Sequence, residues 1–452
     1  MIRLRASRLP GRGRPCALPL ADAGGRRVYP PFLVGSLAVT LTIGTTLGAV
    51  NLARLTGTWG VLSRPAVWTH GYAQTFGFFA LFIMGFAYHA VPRFVAAPLP
   101  WPWLVAASLW LQVAGLLAVT VGWLFLPDEA HRLWIVGSLG FVLASGAFLA
   151  VILGTLRHRP GSPESFELWM TAGAVWLIVG SILALRAALA DDVGWHHLLW
   201  PAMLQGFAGS WILGAGRRLF PISLGWRPRW PRLEWPVFCL YQAGVAACAV
   251  GAWPEPVAGL FLLRAAGAIL LILTVPVAAA LLGLGGPRQP WAARGIDRDY
   301  ERYVHAAWAW AGVSLVAGPL FTLFAAARGD YGSRVMLDFA QHTFALGFAT
   351  QLIMGIGGRF VPAFVGRQPF GPGAHRLAFW LLNLAVALRG LEAAVAFGRA
   401  EAWPWLALSG PPAVVALVLF AVNMLAALRR PPLTSFQLRP TAAGGASIPR
   451  SV

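Results

Sequence analysis

The sequence contains no lysine, and only 11% of its 452 residues are charged. Soluble globular proteins have about 25% charged residues, so this low fraction excludes that class. The three cysteines (Cys16, Cys239 and Cys248) have neither the number nor the spacing of a disulfide framework or a zinc site. The sequence also lacks a phosphate-binding Gly-rich loop, a nucleophile elbow and an HExxH motif. Without these signatures, the sequence leaves open whether the protein is an enzyme.

Hydrophobic residues make up 58% of the chain and are arranged in long runs. A helix needs about 20 mostly apolar residues to cross a bilayer, and unpaired backbone groups are costly in lipid. We therefore predict an all-α polytopic membrane protein with about twelve transmembrane helices and the lipid bilayer as its partner. The predicted spans are 32–53, 67–91, 101–126, 133–156, 167–190, 195–220, 235–253, 256–284, 302–327, 336–362, 376–397 and 403–428.

The arginines are distributed unequally between the two sides of the predicted bundle. Residues 1–31, the connections after the even-numbered spans and the tail 429–452 together hold 26 arginines, and the opposite connections hold 8. Cytoplasmic loops of membrane proteins are enriched in Arg, so both termini are predicted to be cytoplasmic tails in the cytoplasmic membrane. This bias accounts for the formal net charge of +19 without a nucleic-acid partner.

A short pattern occurs in predicted spans two, six and ten. Each copy has Gly-Phe, a second Gly eight residues after the first, a His or Arg four residues later, and a Pro three residues after that. Because the copies lie four spans apart, we predict three pseudo-repeated four-helix units, around 32–156, 167–284 and 302–428, within one transmembrane domain, 32–428. The matching residues are Gly77, Phe78, Gly85, His89 and Pro92; Gly206, Phe207, Gly214, Arg218 and Pro221; and Gly347, Phe348, Gly355, Arg359 and Pro362.

Each copy also has histidine on the N-terminal side of Gly-Phe. At a rise of 1.5 Å per residue, these histidines lie within roughly 8 Å of one another in depth. Histidine inside a span indicates function by default, and imidazole binds both haem iron and copper. The helical offsets leave two pairings open, between spans six and ten or between spans two and six, and a hydrogen bond to the backbone is the structural alternative. The predicted cofactor ligands are His70, His196, His197 and His342, of which His70, His197 and His342 are also candidate metal ligands.

The opposite ends of the three copies carry His89, Arg218 and Arg359 at matching positions. The two arginines are candidates to hold haem propionates, and snorkelling toward the membrane surface is the structural alternative. His305 begins span nine on the same side, so His305 and His89 form a second candidate metal site. Asp338 lies one turn before His342 and is predicted either to orient its imidazole or to cap span ten.

His70 before Gly-Phe in span two, and His342 with the downstream Arg359 in span ten, form a combination that resembles the NnrS family of bacterial membrane proteins. The resemblance covers most of the predicted spanning region. In span two the family motif is His-x-His-Glu, and here Tyr72 and Ala73 stand in place of the second His and the Glu.

The resemblance implies a bacterial inner-membrane protein that contains haem and copper and is linked to nitric oxide stress during denitrification. A more distant similarity to subunit I of the haem–copper oxidases implies a related scaffold without the binuclear centre, because span seven has no His pair. The implied small-molecule partners are nitric oxide or a quinol. Two other functions stay open, namely a cofactor-free membrane transporter, which internal repeats permit, and a quinol-linked electron-transfer subunit.

Overall fold

The computed structural model describes residues 28–55, 57, 60–253, 258–289, 298–327, 335–364, 371–396 and 407–429. Most of the two predicted tails, residues 1–27 and 430–452, lies outside the described residues. The described part of the chain is helical and contains no β-strand, and its β-type pairing is limited to an isolated bridge between Trp226 and Arg288.

Twelve continuous helical segments make up the described part of the chain. Their order follows the predicted spans, with boundaries that shift by a few residues. They are α1 (Tyr29–Leu55), α2 (Arg64–Phe94), α3 (Pro102–Phe125), α4 (Pro127–Arg157), α5 (Ser165–Ala190), α6 (193–223), α7 (Pro231–Val250), α8 (Ala258–Leu281), α9 (Arg298–Ala327), α10 (335–364), α11 (Pro372–Ala396) and α12 (Gly410–Arg429).

Nine of these helices, all but α6, α9 and α11, are long and apolar enough to cross a membrane, judged on the described residues. The chain is therefore a multi-pass membrane protein. The other three predicted spans, 195–220, 302–327 and 376–397, coincide with α6, α9 and α11. That these three also cross the bilayer stays a prediction, and so does the total of twelve spans.

Helices that follow one another in the chain pack together, most extensively α1 with α2, α3 with α4, α5 with α6 and α9 with α10. Helix α12 also packs against the C-terminal half of α1, so the first and last helices are neighbours. In the interior, α6 contacts both α2 and α10, while Phe82 of α2 lies against Gly357 of α10. The three helices that carry the repeated pattern therefore meet one another.

The repeated pattern coincides with a shared backbone irregularity. A π-helical segment begins four residues before the first Gly of each copy, at Ala73–Phe79 in α2, Ala202–Gly209 in α6 and Thr343–Thr350 in α10. Such segments interrupt an α-helix and are frequent at functional sites. Helix α1 contains a fourth, shorter one at Thr40–Gly44.

The repeated glycines allow each of these helices to approach the preceding helix closely. A Cβ on Gly77 would lie 2.3 Å from Cγ1 of Val39 on α1. The equivalent atoms on Gly206 and Gly347 would lie 2.6 Å and 2.8 Å from Cγ of Trp176 on α5 and Trp310 on α9. These contacts are too short for any side chain, so glycine at these three positions permits the close approach of the helices.

Candidate functional site

His70 of α2 and His342 of α10 lie side by side. Their imidazole planes are within 8° of parallel, and the ring centroids are 6.3 Å apart. The Nδ1–H of His70 donates to the carbonyl oxygen of Gly44, 2.9 Å away, beside the π-helical segment of α1. Because a carbonyl oxygen only accepts, this bond places the proton on Nδ1 and leaves a lone pair on Nε2.

His342 is oriented in the same manner, from within its own helix. Its Nδ1–H donates to the carbonyl oxygen of Asp338 at 2.8 Å and lies 3.2 Å from Oδ1 of the Asp338 carboxylate. The carboxylate therefore contacts the imidazole that the sequence predicted it to orient. This arrangement also leaves the Nε2 lone pair of His342 available to a ligand.

The carboxylate of Asp338 is held in place by a chain of paired charged groups. Its Oδ2 pairs with Arg389 of α11, which also pairs with Oε2 of Glu392 at 3.1 Å. Glu392 in turn accepts hydrogen bonds from the backbone N–H and the hydroxyl of Ser409, both at 2.7 Å. Buried charges are costly unless they are paired and hydrogen-bonded. In this chain each charge has a partner, so the position of the Asp338 carboxylate is fixed.

A cavity of about 610 Å³ adjoins the two histidines. Its wall contains His70, His342, Asp338 and Arg389, and apolar side chains from α1, α2, α6, α10 and α12 supply most of the rest. Pockets for small molecules and cofactors commonly have volumes of about 300–1,000 Å³ with a few polar groups among apolar ones. Gly48 makes room on the α1 side, because a Cβ there would lie 2.5 Å from Cε1 of His70.

His196 lies outside this cavity lining. It is 4% exposed, and its Nε2 lies 3.1 Å from the hydroxyl of Tyr72, which accepts a hydrogen bond from Nε1 of Trp134. Its ring is also packed among Trp68, Trp123 and Trp200. Trp200 separates this aromatic cluster from the cavity, since its ring also lies against Gly71 and lines the cavity wall.

His197 points to a different place from its neighbour. It lines a second, smaller pocket of about 90 Å³ together with Arg264 of α8. This pocket and the larger cavity share Trp200, Leu204 and Gln341 as a common wall. The four predicted outer histidines are therefore divided among three environments, and the pair that meets, His70 with His342, is neither of the two pairings that the helical offsets left open.

The residues predicted at the opposite helix ends lie outside the lining of both cavities. His89 packs against Phe364 and Tyr29, whereas His305 stacks on Trp226. Arg218 pairs with Glu164 at 3.2 Å and donates to the carbonyl oxygen of Phe94. Arg359 is exposed. The second metal site and the propionate contacts therefore stay predictions, because the contacts of these residues do not bring them together.

Within the part of the chain that the structure describes, no three His, Cys, Asp or Glu side chains gather into a metal-binding group. The arrangement instead offers two imidazoles from two helices beside an apolar cavity. An ion held by one nitrogen of each ring lies about 2 Å from each of them, so the two Nε2 atoms would have to stand about 4 Å apart on either side of it; the ring centroids are 6.3 Å apart.

Sequence reasoning missed several residues around this pair. Arg389 and Gly48 belong to helices outside the repeated pattern, so the pattern gave no signal for them. Tyr72 stood out only because it replaces a histidine of the family motif. Arg264 is a charge within a predicted span, but no sequence feature indicated its pocket.

Comparison with known protein families gives one match that spans most of the chain. The family model described as NnrS protein matches residues 29–431, which includes all the helices described above. No curated protein matches the sequence.

Proposed function

The chain belongs to the NnrS family, and we propose that it is a haem-binding membrane protein of the nitric oxide response in which His70 and His342 hold the haem iron. The observation that carries the proposal is the pair of nearly parallel imidazoles, 6.3 Å apart, on the wall of a cavity of about 610 Å³. Both rings use Nδ1 for a carbonyl oxygen, which leaves both Nε2 atoms as the ligating type of nitrogen.

Haem iron would supply the capacity to bind nitric oxide or to transfer one electron. The chain's own residues prepare the site for it. Gly44 and Asp338 fix the tautomer and orientation of the two imidazoles, and Gly48 leaves space for the ring of His70. The wall is mostly apolar, and Arg389 neutralises the charge of Asp338 beside the cavity.

Copper is the alternative metal at the same pair. Two histidines suit either metal, whereas a cavity of this size and apolarity favours a large organic cofactor over a bare ion. We propose that the protein resides in the inner membrane of a bacterium with both termini cytoplasmic, as the arginine distribution predicts. We also propose that the helices form three four-helix units, each containing the glycine contacts of one copy of the repeated pattern.

The test is a dithionite-reduced minus oxidised absorption spectrum of the purified, detergent-solubilised protein, with haem and copper content measured on the same sample. We expect a haem band in the wild type that is lost or shifted in His70→Ala and in His342→Ala. His158→Ala is the matched control, because His158 donates to the carbonyl oxygen of Gly154 outside the cavity lining, and it should keep the band.

Two other results would change the proposal in different ways. Copper at a stoichiometric level without haem would make the histidine pair a copper site. Neither metal in well-folded protein would exclude both and favour the transporter function, with the cavity as a substrate site. Reduction of the wild-type haem by a quinol analogue, observed through its absorption band, would identify the electron-transfer function instead.

A further inference from the structure

The smaller pocket, of about 90 Å³, lies where residues of α6, α7, α8, α9 and α10 meet. Its most unusual lining residue is Arg264, which belongs to the membrane-spanning part of α8 (Gly259–Leu281 in the apolar segment). Charged residues within spans are expensive and usually face a functional site. Arg264 lines a pocket between helices, whereas an arginine that snorkels extends its guanidinium to the membrane surface.

The described residues around Arg264 provide no counter-charge. Among the described residues that line the pocket there is no Asp or Glu, and within the described chain the Arg264 guanidinium forms no ion pair. Arg264 is partly buried, and a partly buried cation without a partner is unfavourable. A ligand that carries a negative charge would compensate for it.

Polar side chains complete the pocket. Gln205, Gln341, His197 and Ser314 all line it beside Arg264. The Oε1 atom of Gln205 is buried and has no hydrogen-bond partner, while the hydroxyl of Ser314 already donates to the carbonyl oxygen of Ala340. The amide N–H groups of Gln205 and Gln341 are suitable donors to an anion, whereas Oε1 of Gln205 is an acceptor that needs a donor of its own.

We propose that this pocket binds a small planar oxyanion, of the carboxylate, nitrite or nitrate type, through Arg264. The guanidinium fork matches two oxygens in one plane, which is the geometry that these anions share. A volume of about 90 Å³ accommodates an ion of a few heavy atoms and excludes large ligands. The inference rests on Arg264 and its pocket, and it does not depend on haem at the histidine pair.

Two kinds of ligand carry a planar oxyanion group of this type. The pocket shares Trp200, Leu204 and Gln341 with the larger cavity, so the oxyanion is either a free ion or a carboxylate group of a molecule bound in that cavity. Binding to the protein as purified would identify a free ion. Binding only to the His70→Ala/His342→Ala double variant would identify a carboxylate that normally comes from the cavity.

The experiment measures the Tm of the detergent-solubilised full chain against concentrations of sodium nitrite, nitrate and formate, with chloride at equal ionic strength as the reference. A ligand that binds the folded state raises the Tm as its concentration increases. We expect at least one of the three oxyanions to raise the Tm more than chloride in the wild type. Arg264→Gln should weaken this binding by about tenfold or more, since it removes a charge-assisted contact.

The matched control is Arg186→Gln. Arg186 also belongs to a span, but its guanidinium lies over the ring of Trp195, so this variant should keep the wild-type response. Gln205→Leu provides a second variant within the pocket and should weaken the response less than Arg264→Gln. An equal response to chloride and the oxyanions in both the wild type and the His70→Ala/His342→Ala double variant, or an unchanged response in both pocket variants, would overturn the proposal. None of these outcomes depends on the haem spectrum, which tests the proposed haem site separately.

Discussion

The imidazoles of His70 and His342 lie within 8° of parallel, and their ring centroids are 6.3 Å apart, although the two residues belong to different copies of the repeated pattern. Each ring is held through Nδ1 by a carbonyl oxygen, in one case from another helix and in the other from its own helix. The pair is therefore organised by the fold before any ligand binds, and preorganisation of this kind lowers the cost of binding.

Gly48→Ala should disturb the pair without unfolding the bundle. The new Cβ would lie 2.5 Å from Cε1 and 2.8 Å from Nδ1 of His70, so the imidazole must move away from Gly44. We expect reduced haem content or a shifted band, measured by absorption spectroscopy, with the helical circular dichroism unchanged. Gly312→Ala is the control, since no atom lies within 4 Å of the position of its Cβ. Equal spectra for the two variants would contradict the proposed role of Gly48.

The ion pair between Asp338 and Arg389 should couple the stability of α10 and α11. Asp338→Asn and Arg389→Gln should each lower the free energy of unfolding by about 1–3 kcal/mol, because each leaves a charged partner without its hydrogen bond. The double variant should lose less than the sum, with a coupling energy of about 0.5–3 kcal/mol. Denaturant titration in detergent would measure this cycle. Strict additivity would show that the pair contributes no mutual stabilisation.

The positions of the helices could be predicted well from the sequence. Lipid leaves the backbone few alternatives to a helix, so apolar length alone located all twelve segments to within a few residues. The sequence also indicated close helix packing at Gly77, Gly206 and Gly347, because a glycine that recurs at a fixed spacing within apolar helices is typical of such contacts.

The pairing of the histidines could not be predicted, because the prediction assumed that equivalent helices present equivalent faces. The π-helical segments start one residue after His342 but three residues after His70 and six after His196. Side-chain directions also depend on neighbours that have no copy in the pattern, such as Gly48 beside His70 and Trp134 near His196. Tertiary contacts of this kind have no periodic signal in one sequence.

The arginine distribution predicts which side of the membrane each connection faces. Single cysteines placed at position 161, between α4 and α5, and at position 128, in the first turn of α4, should react differently with a membrane-impermeant thiol reagent in intact cells. We expect labelling at 128 and protection at 161, because Arg157 and Arg159 mark the latter connection as cytoplasmic. The background must lack Cys16, Cys239 and Cys248. Labelling at 161 in intact cells with protection at 128 would reverse the topology.

Tyr72→Phe should destabilise the protein while leaving the haem band in place. The Tyr72 hydroxyl joins Nε2 of His196 to Nε1 of Trp134, and all three side chains are buried. Removing it leaves two buried polar groups without this partner, which costs about 1–3 kcal/mol in the free energy of unfolding. Tyr88→Phe is the matched control and should cost less, because Ser108, which contacts the Tyr88 hydroxyl, also donates to the carbonyl oxygen of Val105.

Measuring stability and spectrum on the same Tyr72→Phe sample separates a structural from a ligating role for this cluster. Tyr72 and His196 lie outside the cavity lining, with Trp200 between them and the His70–His342 pair, so the band should be unaffected. Replacing both partners, in Tyr72→Phe/His196→Phe, should cost less than the sum of the single variants, since no polar atom of the pair is then left behind. A band lost in Tyr72→Phe at unchanged stability would instead place His196 and Tyr72 at the cofactor and exclude His70 and His342 as its sole anchors.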